Sequence, residues 1–137
     1  MAHWLFKSEP SAWSFDKLVG CGKAGTDWSG VRNHTAKLNM QAMKVGEEGF
    51  FYHSNEGKAI VGIVEISKAY RPDPTDATGK FGMVDIRALR PLPRPVTLEE
   101  VKAEKRLASM ALVVYSRLSV QPVTDAEWAF VCKMGGL

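Results

Sequence analysis

The stretch GFFYHSNEGKAIVGIVEI, residues 49–66, decides the fold because it predicts two buried strands joined by a polar turn. Its second half, AIVGIVEI, is apolar almost throughout, which is typical of a central strand covered on both faces. The first strand ends in three side chains with polar tips, Tyr52, His53 and Ser54. Either this strand end opens into a site or it simply reaches water, and residue chemistry alone leaves both explanations open.

The size and composition of the chain predict one soluble globular domain over residues 1–137, with 45% hydrophobic and 24% charged residues. A formal charge of +3 permits a polyanionic partner but does not require one. The start MAHWLFKSEP lacks the apolar run of a signal peptide, and no window resembles a membrane span. Two widely separated cysteines indicate a reduced, intracellular protein, so we expect it in the cytoplasm. We also expect a monomer without membrane association.

Around the opening stretch, strands alternate with helices at irregular intervals. Pro10 closes an aromatic strand, Ser14 can cap a short helix, and four glycines make residues 20–30 a loop. Ala36, Met40 and Met43 then share one helical face. Further strands are predicted at 59–67, 82–89 and 111–118, and 71–80 is a surface loop. T-x-x-E capping boxes at Thr97 and Thr124 open two more helices, the first running from Leu98 to about Leu107. This order predicts an α+β domain with a curled, partly closed sheet, not a doubly wound parallel sheet.

Catalytic and metal-binding patterns are weak in this sequence. His53 and Ser54 are adjacent on a predicted strand, so their side chains point to opposite faces and cannot form a base and nucleophile pair. No GxSxG elbow is present, and the three histidines lack metal-ligand spacing. We therefore expect no enzyme activity, no catalytic residues, no cofactor and no metal.

Polar groups stand beside aromatic residues at four element ends: WLFKSEP, DWSGVRN, FYHSN and YSRLS. Each has a structural explanation, since tryptophans are commonly core residues and Asn33 suits a helix N-cap. Together they fit a flat heteroaromatic ligand, which needs an aromatic face to stack on and fixed polar groups at its edge. A base taken out of a nucleic-acid stack is one such ligand.

Five ordered motifs make the chain resemble the EVE domain family of the PUA-like superfamily. They are WLFKSEP, WSGVRN, AMKVGEEGFFYHSN, GIVEI and RLSVQPVTDAEW, which together cover essentially the whole chain. The resemblance implies a PUA-like curled β-barrel with surrounding helices. It also implies a pocket for a modified base, because members of the family are associated with 5-methylcytosine and its oxidised forms, and the more distant YTH domains read methylated adenine in RNA. Bacterial members exist.

Site residues carry over from the resemblance position by position. Trp28 is expected to stack on the base, and the strand end at Tyr52, His53 and Ser54 to line its cavity. The other residues expected at the base or ligand are Lys7, Ser8, Asn33, Arg117 and Ser119, while Arg32 and Lys37 are expected to contact phosphate. The family commonly continues GVRN as Tyr-Gln-Ala-Arg-Asn where this chain reads His34-Thr35-Ala36-Lys37-Leu38, and lysine lacks the bidentate fork of arginine.

The expected function is a non-catalytic reader of a modified base, a methylated or hydroxymethylated cytosine for example, in DNA or RNA. Three alternatives stay open. The pocket could take a free nucleoside or another small molecule, His53 and Glu9 could act on a modified base as acid and base, or the domain could be a pure interaction module. The polar end of the opening strand is explained by the resemblance as the rim of a ligand pocket.

Overall fold

The computed structural model describes residues 2–137 as an α+β fold built on one mixed six-stranded sheet, so the predicted class is confirmed. The strands are β1 (His3–Ser8), β2 (Thr26–Asp27), β3 (Glu48–His53), β4 (Ala59–Pro72), β5 (Gly82–Thr97) and β6 (Val120–Val123). The helices are α1 (Phe15–Gly20), α2 (His34–Ala42), α3 (Leu98–Ala103), α4 (Ala111–Val114) and α5 (Asp125–Met134). Among residues 2–137, no helix has the length and apolar character needed to cross a membrane.

The sheet order is β2-β5-β4-β3-β1-β6, and among the strands of residues 2–137 only β1 and β3 run parallel to each other. The long strands β4 and β5 contain several register shifts, which bend a sheet and increase its twist. Within the described chain the edge strands β2 and β6 do not pair with each other, so the sheet is curled but not closed into a barrel. The AIVGIVEI segment lies between β3 and β5, as its apolar composition predicts.

Alternating residues of β1 and β3 belong to two separate hydrophobic cores, one on each face of the sheet. Trp4 and Phe6 pack with Phe51 in a cluster that α2 covers. Leu5 and Phe50 belong to a second cluster, which includes residues of α3, α4 and α5. Because side chains alternate with a period of two, neighbouring residues at the ends of these strands also face opposite ways.

The predicted helix starts are confirmed by their cap hydrogen bonds. Ser14 and Asn33 accept from the backbone N–H groups three residues on, and Thr97 and Thr124 form complete capping boxes. These signals are local, because the cap needs only residues within one turn.

Several local predictions are wrong. α2 ends at Ala42, before Met43, and β4 runs on to Pro72, into the predicted loop 71–80. Residues 111–118 are not a strand: Ala111–Val114 is a short helix that buries Leu112, because tertiary packing overrides the β-propensity of valine. The helix after Thr97 ends at Ala103 and not near Leu107. β5 continues far beyond residue 89, through RPLPRPVT. Pro93 and Pro95 are tolerated because they lie in the register shift between Pro91 and Val96, where residues 92–95 have no partner in β4, so proline costs no ladder bond there.

Candidate ligand site

The parallel strands β1 and β3 end side by side at one edge of the sheet, with Ser8 opposite His53 and Lys7 opposite Tyr52. Strand alternation sends Ser8 and His53 to the face of the first core, and Lys7 and Tyr52 to the other face. The backbone continues this arrangement, because the Ser54 N–H donates to the Ser8 carbonyl over 2.8 Å. The polar strand end in YHS therefore serves two faces and not one cavity.

On the first face, two indoles border a cavity of 370 Å³, which we call the tryptophan cavity. Its lining residues are Ser8, Trp13, Thr26, Asp27, Trp28 and Ser29. Aromatic surface with a few polar groups is the composition that a planar heteroaromatic ligand requires. Of the residues predicted for the site, Ser8 and Trp28 meet here.

Trp28 is held by its neighbours while part of its side chain remains accessible. Its indole makes edge-on contacts with Phe6 and Phe51, with ring centroids 5.5 and 5.9 Å apart, and it is only partly buried. Its backbone N–H donates to the Val84 carbonyl over 2.7 Å. These contacts fix the ring plane before any ligand arrives, which lowers the entropy cost of binding.

Ser8 and His53 both fasten the turn that carries Trp13. The Ser8 hydroxyl donates to the Trp13 carbonyl over 2.5 Å, and the Phe15 N–H donates to His53 Nε2 over 3.0 Å. An imidazole nitrogen that accepts must be unprotonated, so His53 is neutral in this arrangement with its proton on Nδ1. Burial lowers the His53 pKa, and the nearby Asp16 charge opposes this only in part.

Trp13 was not predicted as a site residue, although it follows Ser8 by only five positions. Its indole N–H is buried and has no hydrogen-bond partner among residues 2–137. Thr26, Asp27 and Ser29 were also missed, even though the last two flank Trp28 in the quoted DWSGVRN motif. A tryptophan in a turn just after a polar strand end is the signal that could have found Trp13.

The WSGVRN loop behind Trp28 is fastened by a buried carboxylate, Asp73. Its two oxygens accept from the Gly30 N–H (2.8 Å), from Arg32 Nη1 (3.2 Å), and from both the N–H and the hydroxyl of Thr75 (2.7 and 2.6 Å). The Asp73 side chain is fully buried, and these donors hold its pKa at about 2, against the opposing effect of burial. The sequence predicts that Asp73 lies in a surface loop, so its burial is a correction to that prediction.

The two residues predicted to contact phosphate differ in how far they are already engaged. Arg32 donates to Asp73 and, through Nη2, to the Thr75 hydroxyl over 3.0 Å. Lys37 forms no salt bridge within residues 2–137 and lies 5.9 Å from the centroid of the Phe81 ring. Lys37 is therefore the cation of the two that is more available to a phosphate, because Arg32 already donates to Asp73 and Thr75.

Asn33 and Arg117 meet in a different and larger cavity of 570 Å³, the Tyr115 cavity, between α2 and the segment that joins α4 to β6. Its other lining residues are Thr35, Asn39, Ala111, Tyr115, Ser116, Leu118 and Pro122. Asn33 Oδ1 is occupied as the α2 cap, accepting from the Ala36 N–H over 2.9 Å. Ser119 lines none of these cavities, and its carbonyl accepts from the Lys7 N–H over 2.9 Å.

The remaining predicted residues, Lys7, Tyr52 and Ser54, line a third cavity on the opposite face of the sheet from the tryptophan cavity. The structure thus divides the predicted site into three places. Within residues 2–137 no group of three or more His, Cys, Asp or Glu side chains is arranged to hold a metal ion.

Comparison with known proteins places this geometry in a family. Residues 2–134 match the EVE domain. Human thymocyte nuclear protein 1 is 34% identical over 97% of this chain and 73% of its own length. A Rhodopseudomonas palustris protein solved by NMR is 65% identical, with a TM-score of 0.94 over 99% of this chain and 94% of the other. A crystal structure of the human protein in complex with DNA containing 5-methylcytosine is 34% identical and has a TM-score of 0.92 over 100% of this chain and 99% of the other.

Proposed function

We propose that this chain, which belongs to the EVE domain family, is a non-catalytic module that binds nucleic acid carrying a modified base. The base enters the tryptophan cavity, where Trp28 provides a stacking face and Trp13 a second aromatic wall. The observation that carries the proposal is the convergence of these two indoles with Ser8 in one cavity, in a chain similar to a human protein solved with 5-methylcytosine DNA.

The cavity can both stack a base and contact its edge. Base–aromatic stacking contributes about 1–3 kcal/mol per base. The Asp27 carboxylate suits the exocyclic amine of cytosine, since acidic side chains accept from that group. Ser8 donates its proton to Trp13, so its hydroxyl offers the ligand an acceptor and not a donor.

His53 contributes to this pocket through position and not through direct contact. Its Nε2 holds the start of α1, which follows the Trp13 turn, and it does not line the tryptophan cavity. An acid–base role for His53 with Glu9 has no geometric support, because Nε2 is occupied and Glu9 accepts from the Asn55 amide. The non-catalytic interpretation is therefore preferred over an enzyme.

The charge distribution supports a path for the nucleic-acid strand from the tryptophan cavity towards the Tyr115 cavity. Residues 28–46 and 105–124, two segments that each contribute lining residues to the Tyr115 cavity, contain six of the 18 lysines and arginines and none of the 15 acidic residues; of these six cations, Arg117 lines the cavity itself. The rest of the chain is net acidic, with 12 basic and 15 acidic residues. Arg117 and Lys37 are the cations we assign to flanking phosphates, and Tyr115, 61% exposed, offers a face for a neighbouring base.

The test is a titration of matched oligonucleotides, with and without 5-methylcytosine, against wild type, Trp28→Ala and Trp28→Phe. Loss of the stacking face should weaken binding of the methylated strand by roughly tenfold to a hundredfold, while phenylalanine restores part of it. Phe130→Ala, a change on α5 outside the three cavities, is the control. Equal, salt-driven binding of both oligonucleotides by wild type and Trp28→Ala would exclude the pocket.

The choice between DNA, RNA and a free nucleoside follows from the same titration. We assign DNA first, because the related human protein was solved with DNA. An RNA oligonucleotide and free 5-methylcytidine are the comparison ligands, and tighter binding of either would reassign the substrate class.

We also propose that residues 1–137 are a single domain that acts as a cytoplasmic monomer. Light scattering during size-exclusion chromatography tests the oligomeric state, and cell fractionation tests the location.

A further inference from the structure

The cavity on the opposite face of the strand ends, 190 Å³ in volume, is bordered by three lysines. Lys7, Lys58 and Lys102 line it together with Tyr52, Ser54 and Ser116, and no acidic residue is among its lining residues. We call it the lysine cavity. Three like charges around one small space are unfavourable unless an anion or solvent compensates them.

The fold assembles these lysines from three distant parts of the chain. Lys7 reaches this face because it is adjacent to Ser8 on β1 and therefore points away from the tryptophan cavity. Lys58 closes the turn between β3 and β4 at φ 32°, a region that non-glycine residues rarely adopt. Its carbonyl accepts from the Leu98 N–H over 2.8 Å, which docks the start of α3 and brings Lys102, one helical turn after Leu98, to the same cavity.

The lysines lack carboxylate partners. Among residues 2–137, none of the three forms a salt bridge. Lys7 Nζ instead donates to the Ser116 carbonyl over 2.7 Å and lies 5.9 Å from the centroid of the Tyr52 ring. Burial lowers the Lys7 pKa. Glu99 lines the adjoining groove, not this cavity.

We propose that the lysine cavity is a phosphoryl-binding site, separate from the base pocket and on the other face of the same strand ends. Ammonium groups bind phosphate as point charges, and the Tyr52 and Ser54 hydroxyls are further donors to its oxygens. The phosphoryl group is either a phosphodiester of the strand whose base occupies the tryptophan cavity or a free phosphate or phosphorylated small molecule. Only the first source rests on the proposed function.

This placement explains why adjacent residues at the strand ends differ in chemistry. Ser8 serves the tryptophan cavity, while Lys7 and Tyr52 serve the lysine cavity. A nucleic-acid strand that bends around this edge of the sheet would present a base to one face and a phosphate to the other. The site goes beyond base recognition, because it binds a group that is the same in every nucleotide.

The first experiment is a titration of the wild-type protein with inorganic phosphate, followed by backbone amide chemical shifts in NMR. The test variant is Lys58→Gln/Lys102→Gln, because both side chains are exposed and the change leaves Lys7 and its hydrogen bond in place. Lys23→Gln/Lys133→Gln removes the same charge elsewhere and is the matched control. We expect saturable shifts at Ser54, Asn55 and Lys58 in wild type and control, and their loss in the test variant.

The second experiment identifies the source of the phosphoryl group, by measuring oligonucleotide affinity against salt concentration. If a phosphodiester occupies the cavity, the test variant should reduce the slope of log K against log salt by about 0.7–0.9, equally for methylated and unmethylated strands. An unchanged slope with intact phosphate shifts assigns the cavity to a free phosphorylated ligand. Absence of phosphate shifts at the cavity in wild type, with an unchanged slope, overturns the proposal, and it does so without affecting the Trp28 test.

Discussion

Replacing Asp73 by asparagine tests whether a buried carboxylate fastens the loop behind Trp28. Four donors from Gly30, Arg32 and Thr75 converge on its oxygens. The Asp73 pKa falls from its ordinary 3.8 to about 2. At 1.36 kcal/mol per pKa unit, the ionised form contributes about 2 kcal/mol to the free energy of unfolding.

The pH dependence of this contribution has a definite sign. Because the folded-state pKa is depressed, the stabilisation is complete above the unfolded value of 3.8 and is lost as the pH falls towards 2. Asparagine cannot ionise, so Asp73→Asn should lower the free energy of unfolding by about 2 kcal/mol at pH 7. The difference from wild type should shrink steadily between pH 4 and pH 2.

Urea denaturation at a series of pH values measures this difference directly, provided that the slope of the free energy of unfolding against urea concentration is the same in both proteins. Glu56→Gln makes the same chemical change on an exposed turn residue and should leave the free energy of unfolding within about 0.5 kcal/mol of wild type. Asp73→Asn should also bind methylated oligonucleotide more weakly, because Asp73 holds Gly30, which lies two residues after Trp28. A destabilisation that is equal at pH 7 and pH 2.5 would show that ionisation of Asp73 is not its cause.

Three further predictions concern side chains that stabilise β1, the start of α1 and the packing of α1 against β4. Trp4→Phe removes the indole N–H that donates to the buried Glu47 carboxylate over 3.0 Å, and should cost about 1–3 kcal/mol in urea denaturation, with Trp128→Phe as a control. For His53, a lowered folded-state pKa means that stability is complete above the ordinary value of 6.5 and decreases as the pH falls below it; His53→Gln should abolish this decrease, and an unchanged pH profile would contradict it. Gly62→Ala would put a Cβ 2.3 Å from the Phe15 ring and should cost about 1–3 kcal/mol by differential scanning calorimetry, whereas Gly57→Ala meets no atom within 4 Å and should be affected only through its positive φ.

Local signals in the sequence predicted the parts of the fold that depend on nearby residues. Ser14, Asn33, Thr97 and Thr124 cap the helices that they precede, because an N-cap bond joins residues three positions apart. The apolar run in β4 likewise indicated a central strand. The strand predicted at 111–118 failed, because burial of Leu112 against a distant core outweighs local propensity.

The sequence by itself determined the α+β class, the central strand and the family, since periodicity, caps and motif order are all written along the chain. Only the tertiary structure decided which polar residues share a cavity. The parallel pairing of β1 with β3 put Ser8 beside His53, and strand alternation then separated both from Lys7 and Tyr52. A motif such as YHS specifies neighbours along the chain, but which face each side chain reaches, and what meets it there, depends on register and packing between residues far apart in sequence.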